Sequence, residues 1–438
     1  MSTAITVWPA ARPLRGHLRV PGDKSISHRA LLVAARASGR SRINGLSPGD
    51  DVRHTLEAVT ALGAGVEVAG EGAGGGKDVY VSGGPERLHE PAEVIDVGNS
   101  GTGIRLIAGF AAALDGLTVL AGDSSVARRP MDRVVEPLRL MGARVDGREG
   151  GRLPPLVVRG GDLRGVDYTL PVASAQVKSA LLIAGLAARE PTTVREPVAT
   201  RAHTEEMLAD AGARIEVAVE GVGSVVTVHP GPLHAGEIEV PADPSQAAFW
   251  AVAACIVPGS DLVLEGVYVG RARAGFVGTL QRMGARIEVV LEDPSRHTAD
   301  IHVQAGPLVA TTVDRADVPS LIDEIPILAV AAAQAEGATR FTGAAELRVK
   351  ETDRLATTAE MLSALGVRVE PLADGFVVEG NGGAPLNGGS VSSQGDHRIA
   401  MAAAVGALAA EGPVRIAGWD ATATSYPAFE EDLQRCLK

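Results

Sequence analysis

Cysteine and the aromatic residues are both scarce in this sequence of 438 residues. Cys255 and Cys436 are the only cysteines, and neither belongs to a CxxC motif or a Cys/His cluster. The sequence therefore excludes a disulfide scaffold and any recognisable zinc site. Aromatic residues make up 3% of the chain and hydrophobic residues 45%, so the core has to be built from Ala, Val, Leu and Ile. A chain of this length is expected to form two or three domains, each with its own core.

Long apolar runs and an excess of positive charge are also missing. No run reaches about 18 uninterrupted apolar residues, and the first residues, MSTAITVWPAARPL, contain no apolar signal core. We therefore expect a soluble cytoplasmic protein that makes no membrane contact. The formal net charge of −12 leaves no basic surface for a general nucleic-acid binder. Cations that bind an anionic ligand would have to be concentrated in one cleft.

The stretch VPGDKSISHRALLVAA, residues 20–35, combines a turn-forming segment with the apolar spacing of a buried helix. Ser25 is expected to cap this helix. Lys24 and Arg29 then lie where free backbone N–H groups and the helix dipole favour an anion, and both side chains add donors for phosphate or carboxylate. A capped surface helix with two solvated cations explains these residues equally well. The stretch by itself does not decide between the two interpretations.

A short pattern recurs five times along the chain: a helix that ends in an apolar residue and glycine, followed by a strand. The glycines of the five copies are Gly63, Gly142, Gly212, Gly284 and Gly366. Each is expected to adopt the left-handed conformation that ends a helix. The copies are roughly 70–80 residues apart, which is the size of a small α/β unit. A sixth, degenerate copy is expected to end in ALAAEGPVRIAG, residues 407–418.

A longer period divides the chain into two similar halves. The stretch at 20–35 is matched by VPADPSQAAFWAVAAC at 240–255, and SAQVKSALLIAGLAA from Ser174 is matched by GDHRIAMAAAVGALAA from Gly395. Two halves of three α/β units each explain both periods. The segment AITVWPA near the N-terminus is able to join either half. The expected domains are residues 21–240 and residues 1–20 with 241–438.

In the first half, further polar residues precede apolar helices. They are Asn99 and Gly101 in GNSGTGIRL, Arg129 in ARRP, Ser174, Gln176 and Lys178 in PVASAQVKSALL, and Thr200 and Arg201 in VATRAHT. Glycine before a helix permits close approach of backbone N–H groups to a ligand, and small polar residues at a helix start suit hydroxyl recognition. Ordinary turns and helix caps remain the alternative for most of them.

The second half supplies acids together with more cations. Asp323 and Glu324 precede an almost entirely apolar helix, and LRVKETDRL packs Lys350, Glu351 and Arg354 close together. On a helix, Lys350 and Arg354 would share a face. Solvated charges are the alternative here, but charged helix starts recur along the chain. If these starts converge, Asp323 and Glu351 are the groups able to move protons in a cleft lined by cations. The expected cations are Lys24, Arg29, Arg129, Lys350, Arg354 and Arg398.

The motifs PGDKSISHRA, GNSGTGIRL, RRPMDR, SAQVKSALL, LRVKETDRL and GDHRIAM occur here in an order that resembles the 5-enolpyruvylshikimate-3-phosphate (EPSP) synthase family over essentially the whole chain. The resemblance implies an inside-out α/β barrel fold with two domains, each made of three βαβαββ units around buried parallel helices. It implies that domain closure expels water from the reaction. It also implies addition of the 5-hydroxyl of shikimate 3-phosphate to C2 of phosphoenolpyruvate, followed by loss of phosphate. Neither a metal nor an organic cofactor is expected, and the protein is expected to act as a monomer.

The same resemblance assigns roles to individual residues. Asp323 is implied as the base at the 5-hydroxyl and Glu351 as the acid at the methylene carbon, with Lys24 also counted as catalytic. The residues implied for shikimate 3-phosphate are Lys24, Ser25, Arg29, Ser174, Ala175, Gln176, Thr200, Arg201, Asp323 and Lys350. Those implied for phosphoenolpyruvate are Lys24, Asn99, Gly101, Arg129, Gln176, Arg354 and Arg398.

Three positions depart from the common pattern of the family. Ala175 stands where many members have Ser, Glu346 where an Asn is frequent, and Thr424 where many members have a Lys that contacts phosphoenolpyruvate. These departures resemble a divergent class that includes members tolerant of glyphosate, a competitor of phosphoenolpyruvate. Gly101, however, predicts sensitivity, since tolerant members carry an extra methyl group there.

Two other functions account for part of this pattern. UDP-N-acetylglucosamine enolpyruvyl transferase shares the fold and the phosphoenolpyruvate chemistry, but its typical active-site loop carries a Cys near the Arg-Pro pair, and this chain has ARRP with no Cys nearby. A non-catalytic anion-binding relative would not need both Asp323 and Glu351.

Overall fold

The structure is a computed structural model that describes residues 3–437. In this part of the chain, no helix is long and apolar enough to cross a membrane. The strands are β1 (Ala4–Val7), β2 (Arg15–Leu18), β3 (Gly39–Leu46), β4 (Gly65–Glu71), β5 (Lys77–Gly83), β6 (Ile95–Asp96), β7 (Gly116–Ala121), β8 (Arg144–Gly147), β9 (Leu153–Gly160), β10 (Asp167–Thr169), β11 (Thr192–Glu196), β12 (Ile215–Glu220), β13 (Gly223–Val228), β14 (Glu237–Glu239), β15 (Asp261–Tyr268), β16 (Arg286–Asp293), β17 (Thr298–Gln304), β18 (Thr312–Val313), β19 (Ala338–Phe341), β20 (Val369–Leu372), β21 (Gly375–Glu379), β22 (Gly389–Ser392) and β23 (Val414–Ala417).

Helices alternate with these strands along the whole described chain. The α-helices are α1 (Lys24–Arg36), α2 (Asp50–Ala61), α3 (Gly101–Ala112), α4 (Asp132–Leu140), α5 (Arg148–Gly151), α6 (Ala175–Gly185), α7 (His203–Asp210), α8 (Pro244–Ile256), α9 (Gly275–Arg282), α10 (Val318–Leu321), α11 (Ile325–Ala333), α12 (Arg354–Ala364), α13 (His397–Ala407) and α14 (Phe429–Cys436). Short 3₁₀ helices cover Ala73–Gly75, Val126–Arg128, Ile322–Glu324, Ala345–Val349 and Trp419–Thr424.

Contacts divide the chain into two compact units. One is continuous and comprises residues 22–240, and the other comprises the chain up to Pro21 and from Pro241 onward. We refer to them as the continuous unit and the split unit. The segment AITVWPA belongs to the split unit, because β1 pairs antiparallel with β23.

Each unit contains three small sheets of one design. The sheets of the continuous unit have the strand orders β14-β3-β5-β4, β6-β7-β9-β8 and β10-β11-β13-β12. Those of the split unit are β2-β15-β17-β16, β18-β19-β21-β20 and β22-β23-β1. In every sheet the first two strands are parallel and the next pairing is antiparallel. The prediction of a mixed α/β fold with three units in each half is confirmed, except that the sixth sheet has three strands.

Buried helices form the centre of each unit because their sequences are apolar on all sides. Every residue of α8, α11 and α13 is buried, and these three helices pack against one another. In the continuous unit, α3 packs against both α1 and α6. Gly109 of α3 lies against the backbone of Ala180 of α6 and leaves no room for a side chain there. The core contains few large aromatic side chains, and the small side chains of alanine and glycine allow the helices to pack closely instead.

The five repeated glycines end helices as predicted. Their φ angles are all positive, from 82° at Gly366 to 107° at Gly63, and each follows a helix that precedes an outer strand. The expected sixth copy at residues 407–418 is wrong, because α13 is a buried helix that leads into β23, which pairs parallel with β22. The step from α13 to β23 matches the step from α11 to β19. The outer helix of the sixth unit is α14, and no strand follows it among the described residues.

Candidate active site

Three buried helices of the continuous unit begin with side-chain caps. Asp23 accepts from the backbone N–H of Ile26 at 2.8 Å, Ser100 caps α3 and Ser174 caps α6. The expected cap Ser25 is wrong, because the Asp23 carboxylate already receives that N–H bond at the start of α1. Ser25 lies instead within the first helical turn, where its hydroxyl accepts from Arg201 Nη1 at 3.5 Å.

Side-chain hydrogen bonds connect α1 to three neighbouring helices, α2, α6 and α7. Arg29 of α1 donates from Nη2 to Ser179 Oγ of α6 at 2.7 Å. Its Nε donates to Thr204 Oγ1 of α7 at 2.7 Å, so the guanidinium is held from two sides. Lys24 Nζ donates to Asp51 Oδ2 at 2.9 Å. The two predicted cations of α1 are therefore ordered within the protein rather than solvated.

His28 lies between these two cations on the buried side of α1. One ring nitrogen is 2.7 Å from Thr55 Oγ1 and the other is 3.4 Å from Ser100 Oγ. Burial, followed by the positive charges of Lys24 and Arg29, holds the pKa of His28 well below its usual range, although Asp23 acts in the opposite direction. The ring is thus neutral in the folded protein at neutral pH, and it adds no third charge to the cations around it.

Arg129 lies directly beside the first residue of α3. A methyl group added to Gly101 would overlap its Nη1 atom. Arg129 Nη2 also donates to Asn99 Oδ1 at 3.5 Å and to Ser125 Oγ at 3.3 Å. The structure therefore brings together three of the residues predicted for phosphoenolpyruvate, namely Asn99, Gly101 and Arg129.

Gln176 connects α6 to the same end of α3. Its Nε2 donates to Thr102 Oγ1 and its Oε1 accepts from Arg105 Nη1, both at 2.9 Å. Arg105 is held in turn by the carbonyl oxygens of Gly101 and Pro130. Ala175, the first residue of α6, has no polar side-chain atom to offer a ligand.

Thr200 and Arg201 lie in the loop between β11 and α7. The Thr200 hydroxyl donates to Glu196 Oε1, whereas the Arg201 side chain reaches Ser25 on α1. Lys178, which was expected near a site for hydroxyl recognition, is instead completely buried between two carboxylates.

In the split unit, the buried guanidinium of Arg354 contacts three carboxylates. Its side chain is 1% exposed, and it contacts Asp396 through Nε at 2.8 Å, Glu351 through Nη2 at 2.5 Å and Asp323 through Nη1 at 3.3 Å. Burial lowers the pKa of Arg354, but the charges of these three carboxylates outweigh it and raise the pKa above its usual value. Arg354 is therefore a permanent cation that holds both candidate proton-transfer groups.

Asp323 is also contacted by two other predicted residues. Lys350 Nζ donates to its Oδ1 at 3.4 Å, and Arg398 Nη1 donates to its backbone carbonyl at 2.9 Å. The expected helical face shared by Lys350 and Arg354 is wrong, because α12 begins only at Arg354 and Lys350 has an extended backbone. The two cations instead meet at the same carboxylate oxygen from separate segments.

A second buried network of ion pairs and hydrogen bonds is centred on Glu324, next to Arg398. Glu324 is fully buried, lies 3.8 Å from Arg398 and 3.5 Å from Arg273, and accepts a hydrogen bond from Ser245. Arg273 also donates to Asp243, the N-cap of α8, at 2.7 Å. Among residues 3–437, no group of His, Cys, Asp or Glu is placed to hold a metal ion.

Sequence reasoning gave no role to several of these residues. Asp396 precedes α13 in the GDHR motif, and this position before a helix was the available signal for a cap. Asp51 and Arg273 carry no such signal, because their partners, Lys24 and Glu324, are distant in sequence and adjacent only in the fold.

Comparison with solved structures places this architecture among the enolpyruvyl transferases. The enolpyruvyl transferase NikO from Streptomyces tendae matches with a TM-score of 0.79 over 100% of this chain and 98% of its own, and at 20% identity this likeness shows the fold alone. EPSP synthase from Acinetobacter baumannii matches with a TM-score of 0.85 and 40% identity, over 99% of this chain and 98% of its own.

Sequence comparison identifies the family. The 3-phosphoshikimate 1-carboxyvinyltransferase of Gloeobacter violaceus is 50% identical, covering 99% of both chains. That of Desulforudis audaxviator is 49% identical, covering 97% of both. The family model of EPSP synthase (3-phosphoshikimate 1-carboxyvinyltransferase) matches residues 9–433. The chain belongs to the EPSP synthase family, a family of transferases, and the predicted resemblance is confirmed.

Proposed function

We propose that this protein transfers the enolpyruvyl group of phosphoenolpyruvate to the 5-hydroxyl of shikimate 3-phosphate and releases phosphate. The observation that carries the proposal is the arrangement around Arg354, whose single guanidinium contacts both Asp323 and Glu351. The two groups assigned to proton transfer are thereby held by one rigid cation.

The proton transfers balance across two steps. Asp323 takes the proton of the 5-hydroxyl as its oxygen attacks C2 of phosphoenolpyruvate, and Glu351 delivers a proton to the methylene carbon. A new C–O bond forms in the resulting tetrahedral intermediate. Its C–O bond to phosphate then breaks, the methyl group returns a proton to the Glu351 carboxylate, and Asp323 gives up its proton as phosphate leaves, so that both residues are restored and the enolpyruvyl ether and phosphate are the products. The contacts of Lys350 and Arg398 with Asp323 support this role, because they fix its orientation.

The binding roles follow the predicted sets. Lys24, Arg129, Arg354 and Arg398 supply positive charge for the carboxylate and phosphate of phosphoenolpyruvate, with Asn99, Gly101 and Gln176 beside them. Shikimate 3-phosphate is assigned to Lys24, Ser25, Arg29, Ser174, Ala175, Gln176, Thr200, Arg201, Asp323 and Lys350. Within this set, Ala175 offers only its backbone. The ion pair between Lys24 and Asp51 has to be exchanged, at least in part, for contacts with a ligand.

All assigned residues belong to one chain, which supports a monomer as the active form. Both substrates carry several negative charges and do not cross a membrane unaided, which supports a cytoplasmic location. Sedimentation equilibrium tests the first point, and a stable dimer that is required for activity would contradict it. Fractionation of the source cells tests the second, and recovery of the protein with membranes would contradict it.

Phosphate release from shikimate 3-phosphate and phosphoenolpyruvate tests the function. We expect turnover that requires both compounds. Turnover with UDP-N-acetylglucosamine in place of shikimate 3-phosphate would contradict the proposal and favour the other enolpyruvyl transferase. Binding of both compounds without phosphate release would indicate the non-catalytic relative.

Glu351→Gln tests the acid. The amide keeps the size of the side chain but cannot donate a carboxylic proton, so we expect kcat to fall by about 100-fold or more while both substrates still bind. Glu360→Gln is the matched control, because Glu360 is an exposed residue of α12, the helix that follows Glu351, and its carboxylate accepts a hydrogen bond from the side chain of Gln394 at 2.6 Å. A near-normal kcat in Glu351→Gln would remove Glu351 as the acid.

Lys24→Ala tests the shared anchor. Loss of a charged donor to both ligands is expected to weaken each of them roughly tenfold to 100-fold. Lys77→Ala removes an exposed lysine of the same unit and should change neither affinity. Unchanged affinity of Lys24→Ala for both ligands would refute the assignment.

A further inference from the structure

Lys178 of α6 is a buried cation that the proposed reaction does not use. Its side chain is 0% exposed, and Nζ donates to Glu196 Oε2 at 2.9 Å and to Glu205 Oε1 at 2.7 Å. A lysine is rarely enclosed in this way unless its charge is paired, and here one ammonium group faces two carboxylates. We call these three residues, Lys178, Glu196 and Glu205, the Lys178 staple.

The two carboxylates lie on either side of one loop. Glu196 is the last residue of β11, and Glu205 is in the first turn of α7. The loop between these elements, residues 197–202, carries Thr200 and Arg201. Glu196 also accepts hydrogen bonds from Thr200 and, at 2.6 Å, from Ser224. The staple therefore fixes both ends of the loop to α6.

The residue next to Lys178 extends this connection to Arg29. Ser179 and Thr204 share a hydrogen bond of 2.6 Å between their hydroxyl groups, and Arg29 donates to both of them. One turn of α6 thus holds the start of α7 and the guanidinium of Arg29. Arg201 at the end of the loop reaches Ser25, one helical turn before Arg29.

We propose that Lys178 is a positioning residue for shikimate 3-phosphate. The staple holds the Thr200–Arg201 loop in the conformation that binds this substrate, while phosphoenolpyruvate is bound by residues that the staple does not touch. This inference rests on the proposed function, because that function assigns Thr200, Arg201 and Arg29 to shikimate 3-phosphate. Its physical basis is preorganisation: a loop that is already ordered loses less conformational entropy when the ligand binds.

Glu205→Gln tests the inference with little change in volume. It removes the charge at the α7 end and leaves Lys178 paired with Glu196, so the loop is held at one end only. We expect the KM and the calorimetric Kd for shikimate 3-phosphate to rise roughly tenfold, and the KM for phosphoenolpyruvate to change by less than about twofold. Glu205→Asp restores the charge on a shorter side chain and should recover part of the affinity.

Arg195→Gln is the matched control. Arg195 immediately precedes Glu196 in β11, but its guanidinium forms an exposed pair with Asp167 at 2.8 Å, away from the loop. Neither KM should change. Thermal unfolding of each variant verifies that the protein is folded, and if Glu205→Gln does not fold, Glu205→Asp carries the test with a smaller shift in the same direction.

The outcomes separate the two proposals. A wild-type protein that binds shikimate 3-phosphate but releases no phosphate would contradict the proposed function, while the calorimetric comparison would still test the staple. Equal shifts for both substrates, or no shift for either, in an active and folded Glu205→Gln variant would overturn the positioning role. Loss of thermal stability alone, with unchanged affinities, would show that the staple is purely structural and would overturn it as well.

Discussion

Gly101 is the first residue of α3, and its missing side chain leaves the space that Arg129 occupies. In the variant Gly101→Ala, the new methyl group would overlap Nη1 of Arg129 and come within 3.1 Å of Cζ and 3.3 Å of Cδ. The φ angle of Gly101 is not positive, so the backbone itself accepts alanine. The guanidinium therefore has to move by on the order of 1 Å to restore ordinary contact distances.

The size of the effect follows from that displacement. Misplacement of a binding group by about 1 Å costs up to about 100-fold in catalytic efficiency. We expect the KM for phosphoenolpyruvate to rise about tenfold to 100-fold, which corresponds to about 1.4–2.7 kcal/mol. The KM for shikimate 3-phosphate should change little, because Arg129 is assigned to the other substrate. Glyphosate sensitivity, which we expect of the wild type, should fall in the variant for the same reason.

The assay is phosphate release with each substrate varied while the other is saturating. Gly278→Ala is the control, since a methyl group added to this glycine of α9 meets no atom within 4 Å. The control should keep both KM values. An unchanged KM for phosphoenolpyruvate in Gly101→Ala would show that Arg129 either does not bind this substrate or moves without consequence.

Two further predictions concern stability. Arg354→Gln leaves Asp396, Asp323 and Glu351 without their shared buried cation, so we expect the free energy of unfolding of the split unit to fall by about 3–5 kcal/mol, measured by urea unfolding. The lowered pKa of His28 means that the unfolded chain binds its proton more readily, so this histidine contributes stability above about pH 6.5 that is lost as the pH falls through the lowered pKa. His28→Gln should remove that part of the pH dependence, measured by urea unfolding between pH 5 and 8.

Each stability prediction has a result that contradicts it. A urea midpoint of Arg354→Gln equal to that of the wild type, at equal m-value, would mean that the three carboxylates do not depend on this cation. Parallel stability profiles of wild type and His28→Gln across the acidic range would mean that His28 does not resist protonation in the folded state.

The sequence predicted the parts of the fold that local chemistry determines. A glycine after an amphipathic helix ends that helix whatever lies nearby, so Gly63 and its four counterparts were predictable. The matching stretches at 20–35 and 240–255 indicated the twofold division, although the residues that cap the corresponding helices α1 and α8 are Asp23 and Asp243, and the cap predicted for α1 was Ser25. The motifs likewise indicated which helix starts carry charge.

The partners of those charges were less predictable, because they depend on contacts between distant segments. Arg273 meets Glu324 only through the packing of the split unit, and nothing in the local sequence marks this pair. Lys178 was also unpredictable from its local sequence. Its position at a helix start suggested a contact with a ligand, but Glu196 of β11 and Glu205 of α7 pack against α6 and enclose it. The shared helical face predicted for Lys350 and Arg354 was wrong because Lys350 lies four residues before Arg354, the first residue of the helix.

The pairing of β1 with β23 has a consequence for how the chain is made. Strand β1 is synthesised before the continuous unit, but its partner strand, β23, is synthesised only after that unit. Residues 22–240 need no later segment to complete their three sheets, so we expect them to fold first during translation. Strand β1 therefore stays an unpaired edge until β23 has been synthesised, and during that time a chaperone would protect it from pairing with another chain.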